Sequence, residues 1–185
     1  MLFYSYKEDP QVLITTQTYP SDPNTFSFLT QKGTKGRYHR LEINMNMDIN
    51  QSLSAFVNLG ILKTEIKNWQ SRQDLEGRAQ AHAPERSYAL GLNWAPTSHT
   101  YLAIDFTGKS SFYYSDSHNN KSKSYVLTNL NLGYVKNNWN YELWARNIFD
   151  EYYSVRGFYF GNEAPNFIDT LYERHGDPRH IGVSI

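Results

Sequence analysis

"LEINMNMDINQSLSAFVNLGI" (residues 41–61) alternates in two blocks. Leu41, Ile43, Met45, Met47 and Ile49 take the odd positions, while Glu42, Asn44, Asn46 and Asp48 fill the even ones. After the polar break Asn50-Gln51-Ser52, Leu53, Ala55, Val57, Leu59 and Ile61 resume the rhythm. Successive side chains on a strand point to opposite faces, so this pattern predicts a β-hairpin with one apolar and one polar face. The decisive matter is what the apolar face meets.

The same period recurs along nearly the whole chain. Tyr88, Leu90, Leu92 and Trp94 oppose Ala89, Gly91 and Asn93. Leu102, Ile104 and Phe106 oppose Ala103 and Asp105. Val126, Thr128, Leu130, Leu132 and Tyr134 oppose Asn129, Asn131 and Gly133. Trp139, Tyr141, Leu143 and Ala145 oppose Asn140, Glu142 and Arg146. Eight antiparallel strands are predicted, near 2–16, 27–48, 53–68, 85–95, 100–115, 122–136, 139–160 and 178–185. Tight turns fall at Ile49–Ser52, Pro96–Ser98 and Lys136–Asn138, and longer polar links near 17–26, 69–84, 116–121 and 161–177. Consecutive hairpins with short connections at one end and long ones at the other have the plan of an up-and-down barrel wall.

Composition narrows the class. The 185 residues carry 18 Lys plus Arg against 18 Asp plus Glu, so no bulk charge points to nucleic acid. There is no cysteine, which excludes disulfides and thiolate metal sites. Aromatic residues reach 16%, with 15 Tyr and 10 Phe, in a chain of polar mean hydropathy. No window approaches ~18 consecutive apolar residues, which excludes a transmembrane helix, but a membrane strand needs only alternate apolar positions. Strands 27–48 and 139–160 exceed the ~5–6 residues usual in globular sheets. Trp94, Tyr101, Tyr134, Trp139 and Tyr141 lie by the tight turns, and Tyr113, Tyr114, Tyr125, Tyr152 and Tyr153 toward the opposite ends. Two aromatic bands with aliphatics between them read as interfacial girdles. The apolar set is accordingly assigned to lipid and the asparagine-rich set to a lumen. The alternative is a soluble β-barrel or sandwich, apolar inside, that binds a small apolar ligand.

The last third carries a family likeness. In "LWARNIFDEYYSVRGFYFGNEAPNFIDTLYERHGDPRHIGVSI" (143–185), a strand runs into Asn147-Ile148-Phe149-Asp150 and Tyr153. Then come Gly176, Asp177, Pro178, Arg179, Ile181, Gly182 and Val183. This resembles the C-terminal end of TonB-dependent outer-membrane receptors, and "GRAQAHAPERSYALGLNW" (77–94) is similar to the family's loop before a descending strand. The resemblance implies a portion, about eight strands, of a much larger transmembrane barrel with a plugged lumen. Residues 1–185 are then read as the C-terminal part of such a receptor, a fragment clipped at both ends, lacking plug, TonB-box segment and earlier strands. The implied setting is the bacterial outer membrane. The implied partners are lipid, the plug, the remaining strands and, through the plug, the TonB system.

No catalytic signature is present: G-x-S-x-G, a phosphate-binding glycine loop and H-E-x-x-H are all lacking. The chain reads as neither an enzyme nor the holder of a cofactor. The histidines at 39, 82, 99, 118, 175 and 180 sit on different loops and turns and do not suggest a metal site. Glu42, Asp48, Glu142, Trp144 and Arg146 are predicted to face the lumen. Asp177-Pro178-Arg179 reads as the start of a strand or a loop-end ion pair. The implied function is import of a scarce ligand, such as an iron–siderophore complex or a cobalamin, by an energised receptor. Loop candidates for the ligand are Trp69 through Glu76, His118 and residues 158–167, in particular Trp69, His118, Phe158, Tyr159 and Asn162.

Overall fold

The structure, a computed structural model, describes residues 1–7, 11–19, 22, 25–32, 35–67, 69, 73–116, 118–161, 163–168 and 170–185. Among them run β1 (Leu2–Lys7), β2 (Gln11–Gln17), β3 (Phe26–Lys32), β4 (Lys35–Asn50), β5 (Leu53–Lys67), β6 (Arg86–Trp94), β7 (Thr100–Lys109), β8 (Tyr125–Lys136), β9 (Trp139–Arg146), β10 (Ser154–Phe160), β11 (Thr170–His175) and β12 (His180–Ser184). One 3-10 turn, Gln73–Leu75, is the sole helical element described. The fold is all-β. Eight strands form one antiparallel sheet in the order β1-β4-β5-β6-β7-β8-β9-β12. It is a partial barrel: β1 and β12 lie at its two edges and do not close on each other. Two hairpins, β2-β3 and β10-β11, prolong the β1-β4 and β9-β12 pairs at the loop end.

The hairpin at 41–61 forms in the expected register, with Leu41 opposite Ile61, Ile43 opposite Leu59 and Met45 opposite Val57. Its turn is closed by Asn50, whose Oδ1 accepts bonds from the Ser52 amide at 2.9 Å and hydroxyl at 3.0 Å. The β8–β9 turn places Asn137 at φ 53°, a left-handed conformation that asparagine tolerates.

Register carries the apolar set across the whole sheet. Val57 faces Leu90, Leu90 faces Phe106, Ile104 faces Leu130, Leu132 faces Leu143, and Leu143 faces Val183. The result is a continuous apolar belt, and it is exposed: Leu41, Ile43, Met45, Met47 and Ile49 are 37–55% accessible. The polar face is stitched by its own pairs. Asn44 lies opposite Asn58, and Asn129 Nδ2 donates to Asp105 Oδ2 at 2.7 Å. Aromatic rings lie over cross-strand glycines at four places: Phe56 on Gly91, Tyr88 on Gly108, Tyr101 on Gly133 and Trp144 on Gly182. A Cβ at any of these glycines would fall 2.0–2.3 Å from a ring carbon.

Several expectations need amendment. The strand expected at 139–160 is two, β9 and β10, broken where Asn147 and Asp150 adopt φ 48° and 55°. The link expected at 161–177 contains β11. Trp94, Tyr134, Trp139 and Tyr141 do line the turn-end margin of the apolar face, but Tyr101 pairs with Gly133 on the polar face. At the other end Tyr114 and Tyr125 are buried and Tyr113 half-buried; Tyr152 is 75% exposed.

Candidate functional site

Among the described residues, the β5–β6 connection, the β7–β8 connection and the β10–β11 hairpin meet in a cap at the loop end. Ile66 at the end of β5 packs with Trp69 and Leu75 in a small core, 2%, 3% and 0% exposed respectively. This core sets the path of the β5–β6 connection: Gly77 N donates to Ile66 O, and Ile66 N to Arg78 O. Arg78 then points into the β7–β8 connection. Its Nη1 donates to His118 O at 2.8 Å and Asn119 Oδ1 at 2.9 Å, and its Nη2 to Ser115 O at 3.0 Å and Asp116 Oδ1 at 3.1 Å. The guanidinium lies 4.3 Å from the Tyr113 ring centre, and Lys121 Nζ also sits 4.3 Å from that ring. A charge this buried needs partners, and its four bonds tie down residues 115, 116, 118 and 119, though its buried Nε has no partner among the described residues.

The β7–β8 connection docks in turn on the β10–β11 hairpin. Tyr114 lies over Gly157, and its hydroxyl donates a short bond to Glu173. Burial, then this bond, pushes the Tyr114 hydroxyl up to about 12. The same bond holds the Glu173 carboxyl below the usual value, against an opposing effect of burial. His118 sets its ring edge-on to Tyr159, 4.7 Å between centres. Its Nδ1 accepts from Asn120 N at 3.3 Å, and its buried Nε2 has no protein partner among the described residues. Burial and then the nearby Arg78 charge lower its proton affinity, so the neutral ring is favoured. His82, its ring tilted against Phe112 at 5.8 Å between centres, has its proton affinity lowered by burial and then by Arg156, against a raising effect of Asp116.

Asn147, Asp150, Tyr153, Gly176, Asp177 and Arg179 meet as a clasp beyond the ends of β9 and β12. Asn147 is 4% exposed. Its Nδ2 donates to Glu151 O at 3.0 Å and Asp177 O at 3.1 Å, and its Oδ1 accepts from Glu151 N at 2.8 Å. Its own amide donates to Asn129 Oδ1 at 3.1 Å. Asp150 Oδ1 accepts from Arg179 N at 2.8 Å. Tyr153 stacks against Tyr125, 4.5 Å between centres, and lies over Gly176. Phe149 is 74% exposed, Pro178 is exposed, and Gly182 sits under Trp144. Beside the clasp, on the polar face, is a cavity of about 560 Å³ lined by Asn129, Glu142, Trp144, Arg146, Asp177 and His180 among others. Asp48 lies apart from it, at a turn-end cavity of about 220 Å³.

The loop candidates separate. His118 and Tyr159 are in contact, and Phe158, 39% exposed, stacks on Tyr172 instead. Trp69 has almost no accessible surface, so it offers support rather than contact. Asn162 lies outside the described residues, as do 70–72. Arg78 went unnoticed in the sequence, where it is one arginine in a polar link. The nearest signal was the aromatic cluster Phe112-Tyr113-Tyr114.

A family model described as "TonB dependent receptor-like, beta-barrel" matches residues 2–148. Among solved structures, the siderophore receptor PiuA from Acinetobacter baumannii aligns over 98% of this chain and 24% of its own, with TM-score 0.74 and 14% identity. The ferric-catecholate import receptor Fiu from K12 E. coli aligns over 98% and 23%, with TM-score 0.65 and 20% identity. The ferric yersiniabactin uptake receptor FyuA from Yersinia pestis aligns over 98% and 33%, with TM-score 0.71 and 11% identity. The chain thus spans about a quarter to a third of the length of these structures.

Proposed function

The chain belongs to the TonB-dependent receptor β-barrel family, and on that premise we propose that it forms the C-terminal strands of an outer-membrane receptor that imports a scarce ligand under TonB control. Iron–siderophore complexes and cobalamin are the ligand classes in view. The siderophore, catecholate and yersiniabactin receptors named above favour the first. The remaining strands and the plug come from elsewhere in the receptor, and the plug links it to TonB. Within this chain the touching pair His118 and Tyr159 is the proposed ligand contact, and Arg78 supports it by holding the loop that carries His118.

The observation that carries this reading is the exposed apolar belt spanning all eight strands. A water-soluble sandwich would bury it. Here Leu132, Trp139, Leu143, Ile181 and Val183 are 49–69% exposed on the same side, a contiguous patch rather than the scattered apolar residues normal on soluble monomers. Lipid satisfies that face, and the polar face lines a lumen.

Sidedness is the direct test. Leu130 and Asn131 are adjacent in β8 and sit on opposite faces. In the whole receptor, Leu130→Arg should cost ~2–4 kcal/mol in folding titrations into lipid vesicles, and Asn131→Arg clearly less. Equal costs, or the reverse order, would remove the lipid assignment.

A further inference from the structure

The apolar face changes character at its loop-end margin. Beyond Leu41 on β4 the same face carries His39, Arg37 and Lys35, and beyond Ile61 on β5 it carries Lys63, Glu65 and Lys67. Register sets these side by side: Lys35 opposite Lys67, Arg37 opposite Glu65, His39 opposite Lys63. Arg86 on β6 joins them opposite Ile61. Among the described residues of β4, β5 and β6 this margin carries five cations, Lys35, Arg37, Lys63, Lys67 and Arg86, against one carboxylate, Glu65. The chain as a whole is neutral. At the turn-end margin of the same face, Lys136 is the one charged residue on the described strands. Lys35, Arg37, His39, Lys63 and Arg86 are exposed, and Lys67 pairs with Glu65 at 3.3 Å. Tyr4 and Tyr6 flank the cluster from β1, opposite His39 and Arg37, and are 60% and 41% exposed.

A strand rises ~3.4 Å per residue, so the first basic row stands only ~7 Å beyond the last aliphatic row. Any partner of these charges must be anionic and must lie at the level where the belt ends. If lipid covers the belt, the groups at that level are headgroups. Tyrosine beside them suits an interface that is apolar on one side and wet on the other. Arginine and lysine in one row suit phosphate oxygens, the former through its planar fork and the latter as a point charge.

We propose that Arg37, Lys63, Lys67 and Arg86, with Tyr4 and Tyr6 beside them, form a docking surface for lipid headgroups that carry a net-anionic phosphate, in the leaflet on the loop side. The surface rests on the lipid-facing assignment of the belt made above. It adds an asymmetry that the belt alone does not have: a cluster of cations stands at one margin and the single Lys136 at the other.

The test uses the whole receptor carrying this chain, reconstituted into phosphatidylcholine nanodiscs with a small fraction of phosphatidic acid, with bound lipid read by native mass spectrometry. The native protein should retain phosphatidic acid in preference to phosphatidylcholine. Each of Arg37→Gln, Lys63→Gln, Lys67→Gln and Arg86→Gln should weaken that preference roughly fivefold, and the combined variant should abolish it. Lys136→Gln should leave it unchanged. Heat-modifiable gel migration confirms that each variant is folded. The proposal is overturned if the combined variant keeps the preference, or if Lys136→Gln reduces it equally. It is also overturned if inorganic phosphate displaces the lipid at equal concentration, which would mark a site for soluble anions. A receptor that does not enter these discs removes the belt assignment itself and this surface with it. A receptor that enters them but retains neither lipid in preference removes only the surface.

Discussion

Asn147 shows how much one side chain can decide. Its φ of 48° suits asparagine or glycine better than a residue with a plain Cβ, and its amide group supplies three of the bonds that close the clasp. Asn147→Ala should lower barrel stability by about 1–3 kcal/mol for the buried partners left unpaired, with some added backbone cost. Asn147→Gly loses the same bonds but keeps the backbone at ease, so it should cost less in denaturant titration. Equal costs would mean that the backbone conformation contributes nothing. Arg78 poses a different problem, because removing it strands acceptors. Arg78→Met leaves Asp116 and its neighbours without a donor, and local stability should fall by about 3 kcal/mol. Protease cleavage within 110–124 reports the loss. Adding Asp116→Leu should recover part of it.

Between elements, docking of the β7–β8 connection on the β10–β11 hairpin depends on protonation. The folded state lowers the affinity of His118 for a proton, so its contribution is present above the ordinary value of 6.5 and is lost as pH falls through the folded value. Glu173, also lowered, adds a second loss below its ordinary 4.5. Tyr114 is raised, so its contribution is complete below 10.0 and lost as pH rises through about 12. Protection of the Phe112 and Ser122 amides, which bridge the two sides of this connection, should therefore be flat between 6.5 and 10.0, decline below 6.5 and decline again above 10.0. His118→Phe keeps the stack on Tyr159 without the titrating group and should shift the first decline to lower pH. An unchanged profile would place the sensitivity elsewhere. Such contacts were not legible in the sequence. The hairpin at 41–61 was, because alternation is a local property that register simply preserves. The break of 139–160 at Asn147 was not, because the pattern runs on through it and only a backbone angle interrupts. Tyr101 shows a similar limit: it stands one position from Thr100 and Leu102, and proximity to a turn said nothing about its face. Arg78 was illegible because its partners are carbonyls and side chains about 40 residues away.

For the molecule as a whole, the governing fact is the pair of open edges. β1 and β12 each present a row of backbone groups to neighbours that the sheet does not itself contain. In lipid each unpaired group costs several kcal/mol, so the wall requires the rest of a barrel. Expressed alone with an export signal, this chain should give no heat-modifiable band, whereas the receptor that supplies the adjoining strands should. It should likewise fail to restore growth of a receptor-deficient strain on the cognate ligand. Uptake by the chain alone would show that the apparatus for transport has been misjudged. Eight strands of alternating sequence were readable as a barrel wall, and the resemblance to a much larger barrel already implied that they stay open; pattern alone does not decide it, since closure depends on shear and tilt.

The four rings laid over glycines bear on how such a wall avoids being assembled wrongly. A hairpin that slips by one residue turns every side chain to the wrong face, and the apolar–polar alternation punishes it. A slip of two residues restores the faces, and alternation cannot detect it. The rings can. Shifted by two, Phe56 would meet Ala89 or Asn93 in place of Gly91, Tyr101 would meet Asn131 or Val135 in place of Gly133, and Trp144 would meet His180 or Ser184 in place of Gly182. Each of these carries a Cβ where the ring now lies. The glycine–aromatic pairs thus act as a parity check on even-numbered errors, distributed over β5–β6, β6–β7, β7–β8 and β9–β12. Gly133→Ala would blur one such check, and refolding should then yield a mixture of registers, visible as doubled cross-strand disulfide pairings when cysteines are introduced along β7 and β8.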